Sequence, residues 1–211
     1  MARKPLLRSY ATDPIPMSIQ TGGPGDDVFF VNDTNEVVID TSSTDHDIVY
    51  TTVNWTMTAG SHLEILSAAS LSSTTPLVLI GNEFDNIIYG NAGNNYLDGG
   101  TGSDTLVGGA GDDSYLVDDQ SDVVNEAAGG GTDIVYVKGS FALAAGQEVE
   151  YLLAADQSST APVVMVGNEF SQVMYGNAGN NYLDGGAGSD TLVGLGGNDS
   201  YVVDRHSDDV R

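Results

Sequence analysis

Aspartates recur at one fixed place in a series of glycine-rich turns. The nonapeptides 99–107 (GGTGSDTLV) and 108–116 (GGAGDDSYL) have glycine at positions one, two and four and a large apolar residue at position eight. Position six holds Asp104 in one and Asp113 in the other. Carboxylates and turn carbonyls are the hard oxygen ligands of Ca²⁺, whereas Mg²⁺ requires tighter octahedral geometry and Zn²⁺ favours His or Cys. The spacing therefore predicts calcium sites.

The predicted sites lie between stacked turns. Two nonapeptides make one coil of 18 residues, and successive coils stack at the strand spacing of about 4.8 Å, so their sixth residues face each other. Two carboxylates at that distance repel by roughly 3 kcal/mol at an effective dielectric near 20, and a divalent cation removes this repulsion. The strongest predicted sites pair two carboxylates: Asp104 with Asp122, Asp113 with Asp133, Asp27 with Asp47, and Asp190 with Asp208.

Other stacked pairs offer one carboxylate and one amide, which predicts weaker binding. These pairs are Asn86 with Asp104, Asn95 with Asp113, Gln172 with Asp190, and Asn181 with Asp199. Hydrogen bonding within the turn is the alternative for the asparagines, and a solvated acidic face or turn caps are the alternative for the aspartates. For the aspartates, the joint register of acid at six and apolar residue at eight favours metal binding. Glycine tolerates the positive φ that aims carbonyls inward, so the expected backbone ligands include Gly100, Gly102, Gly109 and Gly111.

The nonapeptides belong to a longer repeat of 86 residues. GNEF at 81–84 returns at 167–170, and 22 of 27 positions are identical between 81–107 and 167–193. The frame continues through 117–125 and, after a two-residue insertion, through 128–136. We expect a single array over 22–211, built from repeats at 22–107 and 108–193 with a partial copy at 194–211. An N-terminal extension over 1–21 is expected to be partly ordered at best.

The nonapeptide GGxGxDxUx, with U a large apolar residue, resembles the RTX (hemolysin-type) calcium-binding repeat family. The resemblance covers nearly everything from Gly22 to Arg211 and is most specific at 90–116 and 176–202. It implies several bound Ca²⁺ ions and an extracellular protein that a type I system exports unfolded and that folds on meeting calcium. The chain ends on the last residue of a nonapeptide, so we expect it to be part of a larger polypeptide.

These features predict an all-β fold, a right-handed parallel β-roll or β-solenoid that alternates narrow calcium-binding coils with wider ones. Residues at position eight should point into the core because side chains alternate along a strand. They are Ile88, Leu97, Leu106, Tyr115, Val124 and Val135. Trp55 and Phe141, 86 residues apart, occupy equivalent places in the wider intervals and are also expected in the core.

Composition excludes several other classes. Residues 9–211 contain 30 acidic and three basic side chains, which disfavours nucleic acid and anionic membranes as partners. There is no cysteine, and no apolar stretch approaches the roughly 20 residues of a membrane span. No catalytic constellation is visible, so we do not expect an enzyme. The alternatives are a polysaccharide-binding or adhesive module, which exposed aromatics in one row would favour, and the tail of a secreted protease or lipase whose catalytic part lies outside this sequence.

Overall fold

Parallel β-strands build the whole described part of the protein. The computed structural model describes residues 18–211, in which every strand pairing is parallel and no helix occurs. Accordingly, none of these residues forms a helix that could cross a membrane. The predicted parallel β-solenoid is confirmed. Most of the expected N-terminal extension lies outside the described residues.

The strands are short and follow one another at regular intervals. In chain order they are β1 (Ile19–Thr21), β2 (Val28–Val31), β3 (Val37–Ile39), β4 (Ile48–Thr51), β5 (Trp55–Thr56), β6 (Ile65–Ala68), β7 (Val78–Asn82), β8 (Ile87–Tyr89), β9 (Tyr96–Gly100), β10 (Thr105–Val107), β11 (Ser114–Val117), β12 (Val123–Asn125), β13 (Ile134–Val137), β14 (Ser140–Ala142), β15 (Tyr151–Ala154), β16 (Val164–Val166), β17 (Val173–Tyr175), β18 (Tyr182–Asp184), β19 (Thr191–Val193), β20 (Ser200–Val202) and β21 (Asp209–Val210).

Odd-numbered and even-numbered strands form the two faces of the solenoid. On the odd face, β1 pairs with β3, and β5 to β21 form a nine-stranded sheet. On the even face, β2 to β12 form a six-stranded sheet and β14 to β20 a four-stranded one. Each coil therefore contributes one strand to each face, and the turns between strands stack along the two edges. Strand β1 joins this arrangement ahead of the expected start at Gly22.

The pairing register sets the width of each coil. Leu106 pairs with Ile88 on one side and with Val124 on the other, each 18 residues away along the chain. Other coils are wider, since Leu79 pairs with Trp55 across a 24-residue interval. The wide coils insert their extra residues in loops, so the strands stay in register and each turn remains above the one before it.

Position-eight side chains form a column in the core between the two faces. All six residues that we expect there are buried, with Leu97, Leu106 and Tyr115 fully enclosed. Trp55 and Phe141 are buried too, as predicted, and the indole N–H of Trp55 donates to the backbone oxygen of Glu36 at 2.9 Å. Each coil relies on its neighbours to cover its apolar surface.

One turn has a leucine at a position where the backbone conformation favours glycine. Leu195 has φ of 71°, a left-handed conformation, at a place where the other copies have Gly109 and Gly186 with positive φ. A side chain there costs about 1–2 kcal/mol, so Leu195→Gly is expected to raise the free energy of unfolding by about 1 kcal/mol. Urea denaturation in calcium measures this, and an unchanged or lower midpoint would contradict it.

Candidate metal sites

Each position-six carboxylate bonds to the backbone of the sixth residue in the preceding coil. The N–H of Asp104 donates to Asp122 Oδ1 at 3.0 Å, and the N–H of Asp113 donates to Asp133 Oδ1 at 2.8 Å. The same contact joins the other two carboxylate pairs: Asp27 N to Asp47 Oδ1 (2.8 Å) and Asp190 N to Asp208 Oδ1 (3.2 Å). The structure thus brings together the members of all four predicted carboxylate pairs.

The mixed pairs stack in the same way, but their amide groups turn inward. The backbone contacts are Asn86 N to Asp104 Oδ1 (2.8 Å), Asn95 N to Asp113 Oδ1 (2.6 Å), Gln172 N to Asp190 Oδ1 (2.7 Å) and Asn181 N to Asp199 Oδ1 (2.8 Å). Asn95 Nδ2 donates to Asp113 Oδ1 at 3.0 Å and to the backbone oxygen of Gly93 at 2.5 Å. Asn181 makes the equivalent bonds to Asp199 and Gly179. This is the geometry of the alternative interpretation, hydrogen bonding within the turn.

Seven buried carboxylate oxygens have no hydrogen-bond partner among the described residues. They are Asp40 Oδ2, Asp45 Oδ1, Asp47 Oδ2, Asp104 Oδ2, Asp113 Oδ2, Asp133 Oδ2 and Asp190 Oδ2. The three ion pairs in residues 18–211 involve other acids: Lys138 with Asp118, Arg205 with Asp204, and Arg211 with Asp209. An ionised carboxylate buried without a partner costs several kcal/mol. Unpaired oxygen atoms that converge between stacked turns therefore fit a bound hard cation.

The glycines of the motif have two separate roles at this site. A Cβ at Gly99 would lie 2.1 Å from Asp104 Oδ2, so the first glycine leaves the space into which the carboxylate points. Gly100 and Gly102 have φ of 92° and 129°, which other residues rarely adopt. The expected glycine ligands Gly109 and Gly111 likewise have positive φ. Their role as carbonyl ligands stays a prediction.

Three of the predicted carboxylate pairs include a turn cap, and in the first of them Asp27 Oδ2 accepts the backbone N–H of Gly23 at 2.8 Å. Asp122 Oδ2 accepts the backbone N–H groups of Asp118 and Asp119 at 3.0 and 3.1 Å. Asp208 Oδ2 makes the same bonds to the N–H groups of Asp204 and Arg205. In each of these three pairs only the other carboxylate, that of Asp47, Asp104 or Asp190, keeps an unpartnered oxygen, whereas in the Asp113 and Asp133 pair both carboxylates do.

Two glutamates extend the stacks of carboxylates and were not among the predicted site residues. Glu64 Oε2 accepts the N–H of Asp47 at 2.8 Å, and Glu150 Oε2 accepts the N–H of Asp133 at 2.8 Å. Each lies two residues before a buried leucine, Leu66 or Leu152, which is the same spacing as between positions six and eight. The register would have identified both, although neither turn is rich in glycine.

Further acids lie beside two of the pairs. Carboxylate oxygens of Asp113, Glu126 and Asp133 come within 4.8 Å of one another, and all three residues are buried. A second group of this kind consists of Asp40, Asp45 and Asp47. Asp40 and Glu126 are 86 residues apart, so the long repeat could have identified them as equivalent acids in the two-residue insertion.

Burial shifts the acid–base equilibria of these carboxyl groups. Desolvation raises the pKa of Asp113, Asp133 and Glu126 to about 7, and neighbouring carboxylates add to the effect. The pKa of Asp47 and that of Asp104 rise to about 6, again mainly through desolvation. Without a metal ion, the folded state thus holds protons at a pH at which the unfolded chain has lost them.

The metal-free chain is therefore expected to be more stable in acid. A pKa that is higher in the folded state gives stability that is complete below the unfolded value of about 4 and is lost as pH rises through about 6 to 7. In chelator, circular dichroism should show more β-structure near pH 5.5 than near pH 8. In calcium, protons compete with the metal, so the trend should be absent or reversed. A metal-free chain that is more stable at pH 8 than at pH 5.5 would contradict the raised pKa values of the buried carboxyl groups.

Comparison with known protein families agrees with this geometry. The RTX calcium-binding nonapeptide repeat matches in four copies, over residues 79–124 and 166–201. These stretches contain the pair Asp104 and Asp122. They also contain the mixed pairs that Asn86, Asn95 and Asn181 form with an aspartate. No curated protein and no solved structure matches the chain. The matched stretches are RTX calcium-binding nonapeptide repeats, and such repeats indicate a calcium-binding module.

Proposed function

We propose that the chain is a secreted scaffold module that folds when it meets extracellular calcium and that belongs to a larger polypeptide. Calcium supplies two positive charges and accepts six to eight oxygen ligands when bound. The chain supplies stacked carboxylates, Asp113 and Asp133 among them, and the glycine turns that hold them in register. Export by a type I system is part of the proposal and follows from the resemblance to the repeat family.

One observation carries this proposal, the set of buried carboxylate oxygens that have neither a hydrogen bond nor a cationic partner. Residues 18–211 contain three Lys or Arg side chains, and all three form ion pairs with acids outside this set. Folding without metal must therefore bring like charges together in a poorly solvated space. The unfolded chain avoids that cost because its carboxylates stay in water.

The expected size of the calcium effect is large compared with ordinary protein stability. A ligand that binds only the folded state at a hundredfold excess over its Kd adds about 2.7 kcal/mol per site. Domains are stable by about 5–15 kcal/mol in total, so a few such sites decide whether the chain is folded. Sites of extracellular modules have Kd values of about 0.1–1 mM, and at such affinities the chain would remain unfolded inside a cell.

Circular dichroism tests this function. The chain in excess chelator at neutral pH should give the spectrum of an unfolded protein, and about 10 mM calcium should restore β-structure. Magnesium at the same concentration is the control, because it keeps its waters and fits irregular oxygen sites poorly. A chain equally folded in chelator and in calcium would refute calcium-dependent folding.

A second candidate function is polysaccharide binding, which the outer surface of the odd face favours. Tyr136, Leu153 and Tyr175 follow one another along one outward row of β13, β15 and β17, which places the two tyrosines about 10 Å apart. Tyr96 and Tyr151 lie in the neighbouring outward row. These rings are half-buried on one outer face, and tyrosine rings presented in this way can stack on sugar rings. Because the chain carries a net charge of -24, a neutral glycan fits better than an acidic one.

Binding to insoluble cellulose in the presence of calcium tests the second candidate. The Tyr136→Ala/Tyr175→Ala double variant should lose binding, while Tyr182→Ala, on the opposite face, should keep it. Absence of binding by the unmodified chain, or equal binding by both variants, would rule out this surface as a site for neutral β-glucans.

A further inference from the structure

Two coils differ from the others in having an acid inside the inserted segment. In these coils the paired sixth residues are 20 apart, Asp27 with Asp47 and Asp113 with Asp133. The insertion places Asp40 beside the first pair, and its side chain is buried. Glu126 occupies the equivalent place beside the second pair and is buried as well. The narrow 18-residue coils have no equivalent of this residue.

Unpartnered oxygen atoms point into both of these places. Asp113 Oδ2 and Asp133 Oδ2 have no hydrogen-bond partner among the described residues, and their residues are 1% and 0% exposed. Asp40 Oδ2 and Asp47 Oδ2 are in the same situation, and both residues are 0% exposed. Each of these spaces is therefore bordered by two carboxylate oxygens that no donor of the described residues satisfies.

A glycine shows that the carboxylates of the first group converge. A Cβ built on Gly22 would lie 2.2 Å from Asp40 Oδ2 and 2.9 Å from Asp27 Oδ2. The inserted acid and the position-six acid thus both border the space that this glycine leaves open, and Asp27 Oδ2 also accepts the N–H of Gly23 there at 2.8 Å. In the second group, a Cβ on Gly108 would lie 2.3 Å from Asp113 Oδ2. The same small residue opens both sites.

A tyrosine holds the longer of the two inserted acids. The hydroxyl group of Tyr115, a fully buried position-eight residue, donates to Glu126 Oε2. Glu126 Oε1 accepts the N–H of Ala127 at 2.9 Å, so the carboxylate is fixed at both ends. The first coil has Phe29 in place of this tyrosine and the shorter Asp40 in place of the glutamate. Each coil therefore pairs an acid with a core residue that suits its length.

We propose that Asp40 and Glu126 are additional calcium ligands, so that these two coils form three-carboxylate sites that fill at lower calcium than the pair Asp104 and Asp122. Affinity for calcium rises with the number of charged ligands and with the rigidity of the site. The inference rests on the proposed function, because it assumes that the stacked carboxylates bind calcium. It adds a ligand that the nonapeptide motif does not contain.

Calcium titration of the Glu126→Gln variant tests the proposal, with Glu169→Gln as a matched control. Glu169 is exposed, accepts one backbone N–H from Gly146 at 2.8 Å and lies outside the stacks of carboxylates. Both variants remove one charge through the same chemical change. Equilibrium dialysis gives the number of bound ions, and circular dichroism gives the free calcium at half-folding. Glu126→Gln should require about tenfold more calcium, whereas Glu169→Gln should stay within about twofold of the unmodified chain.

Further outcomes separate this proposal from the proposed function. Equal midpoints for Glu126→Gln and Glu169→Gln, with calcium still bound, would overturn the extra ligand alone. An unmodified chain that binds no calcium would overturn the proposed function itself. If Glu126→Gln fails to fold at any calcium concentration, Glu126→Asp decides, because it keeps a carboxylate as Asp40 does in the first coil. Recovery of folding in Glu126→Asp supports the proposal, and failure of both variants overturns it.

Discussion

An Asp113→Asn variant is expected to lose stability in calcium and to gain it in chelator. The substitution keeps the shape of the side chain but removes one charge from the pair with Asp133, and the chain already uses asparagine at this position in Asn95. In calcium at a hundredfold excess over Kd, loss of one site costs about 2.7 kcal/mol. In chelator, removal of the repulsion with Asp133 stabilises the fold by up to roughly 3 kcal/mol.

The matched comparison is Asn95→Ala, which should lower the free energy of unfolding both in calcium and in chelator. The Asn95 amide bonds to Gly93 and Asp113, and these contacts do not require a metal. Its loss should therefore destabilise the fold with or without calcium, and it should weaken calcium binding less than a change at Asp113. Urea denaturation in calcium, and in chelator with sucrose to favour the folded state, gives the two free energies. Equal losses for both variants in calcium would mean that the stacking register is misassigned.

A Gly100→Ala variant is expected to be among the most destabilised single substitutions in the chain. Gly100 has φ of 92°, and a Cβ there would lie 2.0 Å from the backbone oxygen of Asn82 in the preceding coil. Backbone strain costs about 1–2 kcal/mol, and a clash with backbone that cannot move adds about 1–3 kcal/mol. We therefore expect a loss of about 3 kcal/mol or more, and with it a large increase in the calcium needed for folding.

Substitutions at two other glycines separate the effect of backbone strain from that of the steric clash. Gly25 has φ of 104°, but a Cβ at this residue would have open space around it, so Gly25→Ala should lose only about 1–2 kcal/mol. Gly139 has open space and no positive φ, so Gly139→Ala should be nearly neutral. In calcium, the denaturation midpoint should be highest for Gly139→Ala, lower for Gly25→Ala and lowest for Gly100→Ala. An effect of Gly100→Ala no larger than that of Gly25→Ala would contradict the close approach of the coils.

The sequence predicted the stacking because two independent features share one frame. Each nonapeptide has an acid at position six and an apolar residue at position eight. This pattern indicates that the turn lines a metal site and that the strand packs its side chain into a core. For that reason the partners of Asp104 and Asp113 could be named without coordinates, and so could the burial of Leu106 and Tyr115. The same frame also covers Glu64 and Glu150, which a search limited to glycine-rich turns passes over.

Other features depend on three-dimensional detail that no spacing conveys. Whether the Asn95 amide faces its own turn or a shared ion depends on its rotamer, and the structure has it bonded to Gly93. The second oxygen of Asp122 caps its own turn, and the spacing alone does not say which position-six carboxylates will do so. Glu126 lies in an insertion that interrupts the nonapeptide frame, so its approach to Asp113 becomes visible only once the coil is closed.

Anomalous diffraction from crystals grown in about 10 mM calcium tests most directly whether the buried acids are metal ligands. The expected result is a peak between the coils at about 2.3–2.6 Å from Asp113 Oδ2 and Asp133 Oδ2, the range of Ca²⁺–oxygen bonds. Well-ordered density in which the two oxygens contact only water or protein donors, with no anomalous peak nearby, would contradict the account.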